Sequence, residues 1–218
     1  MTPNSIRQFL RRRAFGIFTL MALLVLSLAP SRFLAPAMAD DPMSVVKTTV
    51  DQALDVLRDT SSPLAQRQDK LRQIVAQTFD FKEMAKSALG YHWKELTPAQ
   101  QEEFTNAFVA FIEDSYLSKI NDYRGQQVTF LRASNDGPQY AQVNTDIVQP
   151  KGDSIHVNYR LLQENGTWKI YDVTVDAISI IANYRNQFNR VMNSKGYQTL
   201  IADLKAKQAA LAASLANH

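Results

Sequence analysis

Cysteine is absent from this 218-residue chain, histidine occurs three times and glycine seven times. Without thiols there is no disulfide, no thiolate metal site and no thiol nucleophile. His92, His156 and His218 have no second ligand at metal spacing, which argues against a zinc enzyme. No G-x-S-x-G turn and no glycine-rich phosphate loop occurs, so neither a serine hydrolase of that type nor a P-loop protein is indicated. Acidic residues are missing from the first 39 positions, where five of the 24 basic residues fall: Arg7, Arg11, Arg12, Arg13 and Arg32. The other 19 basic residues face all 21 acidic ones, a formal charge of −2. That balance offers nothing to DNA or RNA.

What is present begins with an address. Arg7 to Arg13 lead into sixteen largely apolar residues, Ala14 to Ala29, which Pro30 breaks before the small-x-small triplet Ala37-Met38-Ala39. This reads as a signal peptide cleaved after Ala39. A membrane anchor is the alternative, but sixteen helical residues span roughly 24 Å against a hydrocarbon core of roughly 30 Å. Arg12-Arg13-Ala14-Phe15 matches a twin-arginine signal only in part, so the export route stays open. The mature chain is expected to work outside the cytoplasm, held together by packing alone.

From position 40 the apolar spacing alternates between two periods. Val46, Val50, Ala53, Leu54 and Leu57 predict a first amphipathic helix, closed by Ser61-Ser62-Pro63; Leu71, Ile74, Val75 and Thr78 predict a second. Asp80-x-x-Glu83 is a capping box that opens a third helix, ended by Gly90. Thr97, Pro98 and Gln100 start a fourth, whose stripe Phe104, Phe108, Phe111, Ile112, Tyr116, Ile120 and Tyr123 runs on for about 27 residues to Gly125. The period then falls to two. Strands are predicted at 127–133, around Ala141 to Ile147, around Ile155 to Leu161, and at 168–175, with turns at Asn135-Asp136-Gly137-Pro138 and Asn165-Gly166. Helix returns through Ile178, Ile181, Tyr184, Phe188, Val191 and Met192 to Lys195-Gly196, and again from Leu200 into an Ala-rich tail at 208–218. With no repeat and no linker, 40–218 is expected to be one α+β domain: helices, an antiparallel sheet of four strands or slightly more, then helices.

Few residues carry catalytic promise. Asp172 and Asp176 could form a general acid–base pair, but a strand-end carboxylate that caps the following helix is the ordinary explanation of them. His156 sits on the polar side of an alternating strand, where a solvated histidine is the ordinary outcome. The last strand, Trp168 to Val175, is apolar on both faces, and the helix after it is apolar at 177, 178, 180 and 181. Periodicity alone leaves two explanations, a filled core or a lined cavity.

Longer stretches resemble a known family. Leu96-Thr97-Pro98-Ala99-Gln100-Gln101-Glu102-Glu103-Phe104, with Phe108 and Phe111 beyond, is similar to the long helix of the MlaC family of periplasmic phospholipid-binding proteins, also called the toluene-tolerance family. Gly166 to Val173, Ile178-Ser179-Ile180-Ile181, Asn183 to Phe188, Ser194-Lys195-Gly196 and Leu200 to Leu204 follow in the same order. The resemblance covers nearly all of the chain from position 40. It implies a soluble phospholipid carrier in the pathway that maintains outer-membrane lipid asymmetry, and no enzyme and no cofactor. The implied partners are an outer-membrane lipoprotein–porin complex and an inner-membrane ABC transporter complex with a hexameric lipid-binding component. The implied fold is a curved antiparallel sheet wrapped by helices, like a nuclear-transport-factor cone, with acyl chains between sheet and helices. A hopanoid carrier and a lipid-modifying enzyme are the alternatives.

On that reading the candidate cavity lining is Phe108, Phe111, Ile112, Tyr116, Val143, Val157, Tyr159, Tyr171, Val173, Val175, Ile178, Ile181, Tyr184 and Phe188. Arg160, Lys169 and Arg185 are the candidate cations for a head-group phosphate.

Overall fold

Local sequence decides where each helix begins. The computed structural model describes residues 41–117, 122–149 and 154–216, so the export segment read at 1–39 lies outside the described residues. Asp41 caps helix α1 (Pro42–Arg58), its carboxylate accepting from the Ser44 amide at 3.3 Å. Helix α2 (Leu64–Thr78) follows Pro63 without a side-chain cap. Asp80 caps α3 (Phe81–Leu89) through the Glu83 amide at 2.9 Å. Only half of the expected capping box forms there, because the Asp80 amide donates instead to the Ile170 carbonyl of the sheet at 2.8 Å. A 3-10 segment, Gly90–Glu95, links α3 to α4 (Pro98–Leu117). At the start of α4 the box is complete: the Gln100 amide donates to the Thr97 hydroxyl, and the Thr97 amide donates to the Gln100 side chain.

The long stripe predicted to reach Gly125 is shorter as a helix. Twenty residues form α4, 118–121 lie outside the described residues, and Tyr123 to Gln126 is non-helical.

The sheet is an antiparallel meander in the order β1-β2-β3-β4-β5: Gln127–Asn135, Tyr140–Val148, Ile155–Glu164, Thr167–Val175 and the two-residue Ile178–Ser179. Asn165 and Gly166 both take positive φ, as the β3–β4 hairpin requires. The fifth strand, too short to leave a period in the sequence, pairs with Thr174 and Val175. Helix α5 (Ile180–Ala216) follows and is kinked at Gly196, whose φ of 78° and ψ of 178° interrupt the helix where the Lys195-Gly196 pair predicts a stop.

Strand β4 explains its own two-sided apolarity. Arg160 pairs with Asp172 and Leu161 with Ile170, so Tyr171 is an extra residue on β4. The bulge reverses the alternation, and Trp168 and Ile170 share a face with Val173 and Val175. One end of that face is sealed by α1: Val46 is buried against Ala141, Val143, Leu161, Trp168 and Ile170. A second cluster joins α3, α4 and α5 around Phe104, Phe108, Phe188, Leu200 and Leu204. Phe188 meets Phe104 and Phe108 edge-on at 5.6 and 5.7 Å, a favoured aromatic geometry. The helices meet the sheet along β4, where Phe79 makes an isolated parallel bridge with Ile170. Among the described residues, no helix is long and apolar enough to cross a membrane.

Candidate functional site

Beyond the end sealed by α1, the same face of the sheet is left open. Ile147, Val157, Tyr159, Val173 and Val175 form one wall of a cavity of about 370 Å³. Its opposite wall comes from Leu71, Arg72 and Val75 of α2, Phe81 and Met84 of α3, and Ile112, Glu113, Tyr116 and Leu117 of α4, with Phe79 and Ile180 at the sides. The space is more than twice the roughly 150 Å³ of an engineered apolar cavity that stays dry and takes up benzene. It is large enough to be a binding site and too large to be a packing defect.

Among the described residues, charge enters this cavity at one place. Arg72 donates to Asp69 and to Asp114, both at 3.1 Å, and its Nε lies 4.0 Å from Glu113. Asp114 is buried and also accepts from Gln208 of α5 at 2.8 Å. Burial, with the neighbouring Asp114 charge adding to it and Arg72 opposing it, holds the Glu113 carboxyl above the usual carboxylate range. Tyr116 lies at the rim, half exposed, with its phenol pushed up to about 12 by burial. Burial likewise raises Tyr159, although a hydrogen bond with Thr145 opposes it. Both phenols stay neutral near pH 7, so they add hydrogen-bonding capacity to the wall but no charge.

Six of the fourteen lining candidates meet at this cavity: Ile112, Tyr116, Val157, Tyr159, Val173 and Val175. The remaining eight lie elsewhere. Phe108, Ile181 and Phe188 are buried in the helical cluster, with Phe111 and Tyr184 packed on it. Val143 is covered by α1, Tyr171 packs edge-on against Tyr140, and Ile178 is exposed. Phe111, Tyr184 and Phe188 instead line a smaller hollow of about 190 Å³ between α4 and α5.

None of the three candidate cations lines the apolar cavity. Lys169 donates to the Gln77 carbonyl. The Arg160 guanidinium lies 5.2 Å from the centre of the Tyr171 ring, and Arg185 donates to the Ser87 carbonyl at 2.6 Å. Arg160 and Arg185 share a separate polar cleft with Glu83, Asp136, Tyr140 and Asp172. Among the described residues the cation at the cavity is Arg72, which sequence reading missed. Leu71 and Val75 carried a signal as a helical stripe; Arg72 and Glu113 carried none, because only the tertiary fold brings α2 to α4.

The carboxylates weighed as an acid–base pair are structural. Asp172 is buried and accepts from the Ser179 hydroxyl at 2.7 Å and the Ile181 amide at 3.2 Å, holding the start of α5. Asp176 accepts from the His156 amide at 3.1 Å. The His156 ring is exposed and hydrogen-bonds to Asp146 at 2.5 Å across the β2–β3 pair.

Comparison with known proteins agrees with this architecture. The phospholipid-binding protein from Ralstonia solanacearum, solved in complex with a phospholipid, matches with a TM-score of 0.72 over 79% of this chain and 99% of that one, at 24% identity; the likeness is one of fold. The intermembrane phospholipid transport system binding protein MlaC of Haemophilus influenzae is 21% identical over 172 residues, 75% of this chain and 80% of that protein. The toluene tolerance protein ttg2D of Pseudomonas putida is 27% identical over 164 residues, 72% and 76% of the two chains. The family model described as MlaC protein matches residues 47–206, well over half of the sequence, and the chain belongs to the MlaC family.

Proposed function

We propose that this protein carries a phospholipid through the periplasm, with an acyl chain in the cavity between the sheet and helices α2 to α4. The observation that carries the reading is the cavity itself, walled by valine, leucine, isoleucine and aromatic side chains from both layers. The physical need is clear: two acyl chains of roughly fifteen methylenes each cost about 24 kcal/mol to expose to water, at about 0.8 kcal/mol per methylene. An apolar cavity replaces the bilayer with surroundings of similar polarity, so uptake and release approach thermoneutrality and the cargo can be handed on. Apolar walls also discriminate poorly between chains that differ by a methylene, which suits a carrier of mixed lipids.

The names of the relatives support the wider setting. The Haemophilus relative is named for an intermembrane phospholipid transport system and the Ralstonia neighbour for phospholipid binding. On this basis the chain from Asp40 is the working domain after export and removal of 1–39. It receives lipid from one membrane complex and delivers it to another: an outer-membrane lipoprotein–porin assembly at one side, an inner-membrane ABC transporter with a hexameric lipid-binding component at the other. It transfers lipid without chemical change.

Extraction of lipid from the purified protein, followed by mass spectrometry, tests the reading. Co-purified phospholipid is expected, and radiolabelled phospholipid should be recovered unaltered after incubation. A protein that is empty after purification and takes nothing from vesicles overturns the proposal; a hydrolysed product would establish a lipid-modifying enzyme instead.

A further inference from the structure

Of the four helices that precede the sheet, α2 is the least well seated. The others bury large apolar side chains: Val46 on α1, Leu89 on α3, Phe104 and Phe108 on α4. Helix α2 buries none, and no residue of Leu64–Thr78 belongs to either core cluster. Its Leu71 and Val75 face the cavity instead of packed protein. Neither the Nε2 of Gln68, its one buried side chain, nor the Nε of Arg67 finds a hydrogen-bond partner among the described residues. Moving α2 off the sheet therefore gives up little packed apolar area and returns two unmet donors to water.

Polar contacts hold the helix at two places among the described residues. At its C-terminal end the Thr78 and Thr49 hydroxyls meet at 3.1 Å and Lys169 of β4 donates to the Gln77 carbonyl, beside the point where Phe79 bridges to Ile170. In mid-helix Arg72 donates to Asp114 of α4 at 3.1 Å. Asp114 is buried, and its second oxygen accepts from Gln208 of α5 at 2.8 Å, so the acceptor stands on packed structure and the donor on the loose wall. The first place has the position of a hinge, the second that of a latch. Resting on the carrier reading above, we propose that α2 is a hinged wall of the cavity and that Arg72 is its positioning residue: the ion pair with Asp114 sets how fast an acyl chain enters and leaves, while the apolar walls set how much is bound. A tail in the cavity supplies Leu71 and Val75 with the contacts they lack, so cargo and latch hold α2 down together.

The test separates rate from amount. Purified protein stripped of lipid is mixed with vesicles of phosphatidylethanolamine and phosphatidylglycerol traced with radiolabelled phosphatidylethanolamine. Bound label is followed to its plateau, and release is followed after excess unlabelled vesicles are added. Arg72→Met should speed uptake and release by roughly tenfold, the factor given by the lower end of charge-assisted hydrogen-bond strengths. The plateau should stay as in wild type, because the latch closes the empty protein too. Arg72→Lys, which still offers Asp114 a charged donor, should recover part of the wild-type rate. Arg72→Met combined with Asp114→Leu leaves neither charge unpaired, so it should regain stability yet exchange as fast as the single variant. Lys205→Met breaks an exposed ion pair between α5 and α4 and should leave the rate unchanged. Hydrogen exchange on the wild-type protein gives an independent readout: without lipid the α2 amides should exchange faster than those of α3 and α4, and loading should slow them most. Wild-type rates in Arg72→Met, a double variant whose rate returns with its stability, or α2 amides that lipid leaves unaltered each overturns the proposal. Wild-type protein that takes up no label overturns the carrier reading itself, a result distinct from lipid bound at rates that Arg72 does not govern.

Discussion

Val157 on β3 stands directly opposite Val175 on β4, and both side chains form the sheet-side wall of the apolar cavity. Enlarging one of them therefore adds volume where space exists instead of forcing it into packed protein. Val175→Phe should escape the usual overpacking cost of about 1–3 kcal/mol and leave the melting temperature unchanged or raised. Lipid recovered per protein molecule, measured by mass spectrometry after vesicle loading, should fall, since the ring narrows a space of about 370 Å³ that an acyl chain must thread. Val173→Glu, placing a charge on the same wall, should abolish loading while export continues. Full lipid load in both variants would mean that the tails lie elsewhere.

Asp172 tests whether the carboxylates of the last strand are scaffold. Its two oxygens accept from Ser179 and from the backbone of Ile181, tying β4 to the first turn of α5. Asp172→Ala leaves the Ile181 amide buried without its partner, at a cost of about 1–3 kcal/mol. For a chain of this size, at about 2–4 °C per kcal/mol, the melting temperature should drop by roughly 2–12 °C. Lipid transfer by the fraction that remains folded should match wild type; a variant of normal stability that has lost transfer would restore the acid–base reading of this residue.

The boundary between what the sequence discloses and what it hides follows physical range. Caps and turns are local, so Thr97 with Gln100 and Asn165 with Gly166 could be placed from neighbours three residues away or fewer. Alternation gave the inward residues of β2 and β3 directly. It misled at β4, where the bulge at Tyr171 changes parity and moves that ring to the Arg160 side of the sheet. The helical stripe of α4 reads as one apolar surface, yet Phe104 and Phe108 pack against α5 while Ile112 and Tyr116 turn to the cavity. Which part of a stripe meets protein and which meets empty space depends on where α2 lies, and α2 is positioned by contacts distant in sequence, such as Arg72 to Asp114. Charge alone groups Arg160 and Arg185, together with Lys169, as head-group cations. The two arginines do come together, but in a polar cleft apart from the cavity.

Gly196 separates backbone strain from packing. Its φ of 78° and ψ of 178° belong to a region that essentially only glycine occupies, and a Cβ added there would meet nothing within 4 Å. Gly196→Ala should therefore cost about 1–3 kcal/mol from the backbone alone. In urea the midpoint should move down with the slope unchanged, because the surface exposed on unfolding is the same. Undiminished stability would mean that the two arms of α5 merge into a straight helix in the variant.

Glu113 gives stability a pH dependence of definite sign. Its folded-state pKa lies above the ordinary 4.5, so the folded protein binds the proton more tightly than the unfolded chain. Below the unfolded value both states are protonated and the residue contributes no penalty. As pH rises from there through the folded value the penalty grows, and at neutral pH it is complete. Glu113→Gln removes the ionisation, so the variant should melt at a higher temperature than wild type at pH 7, and the two should converge as the pH falls below 4.5. A variant less stable than wild type at pH 7 would show that the 4.0 Å contact with Arg72 outweighs the burial of Glu113.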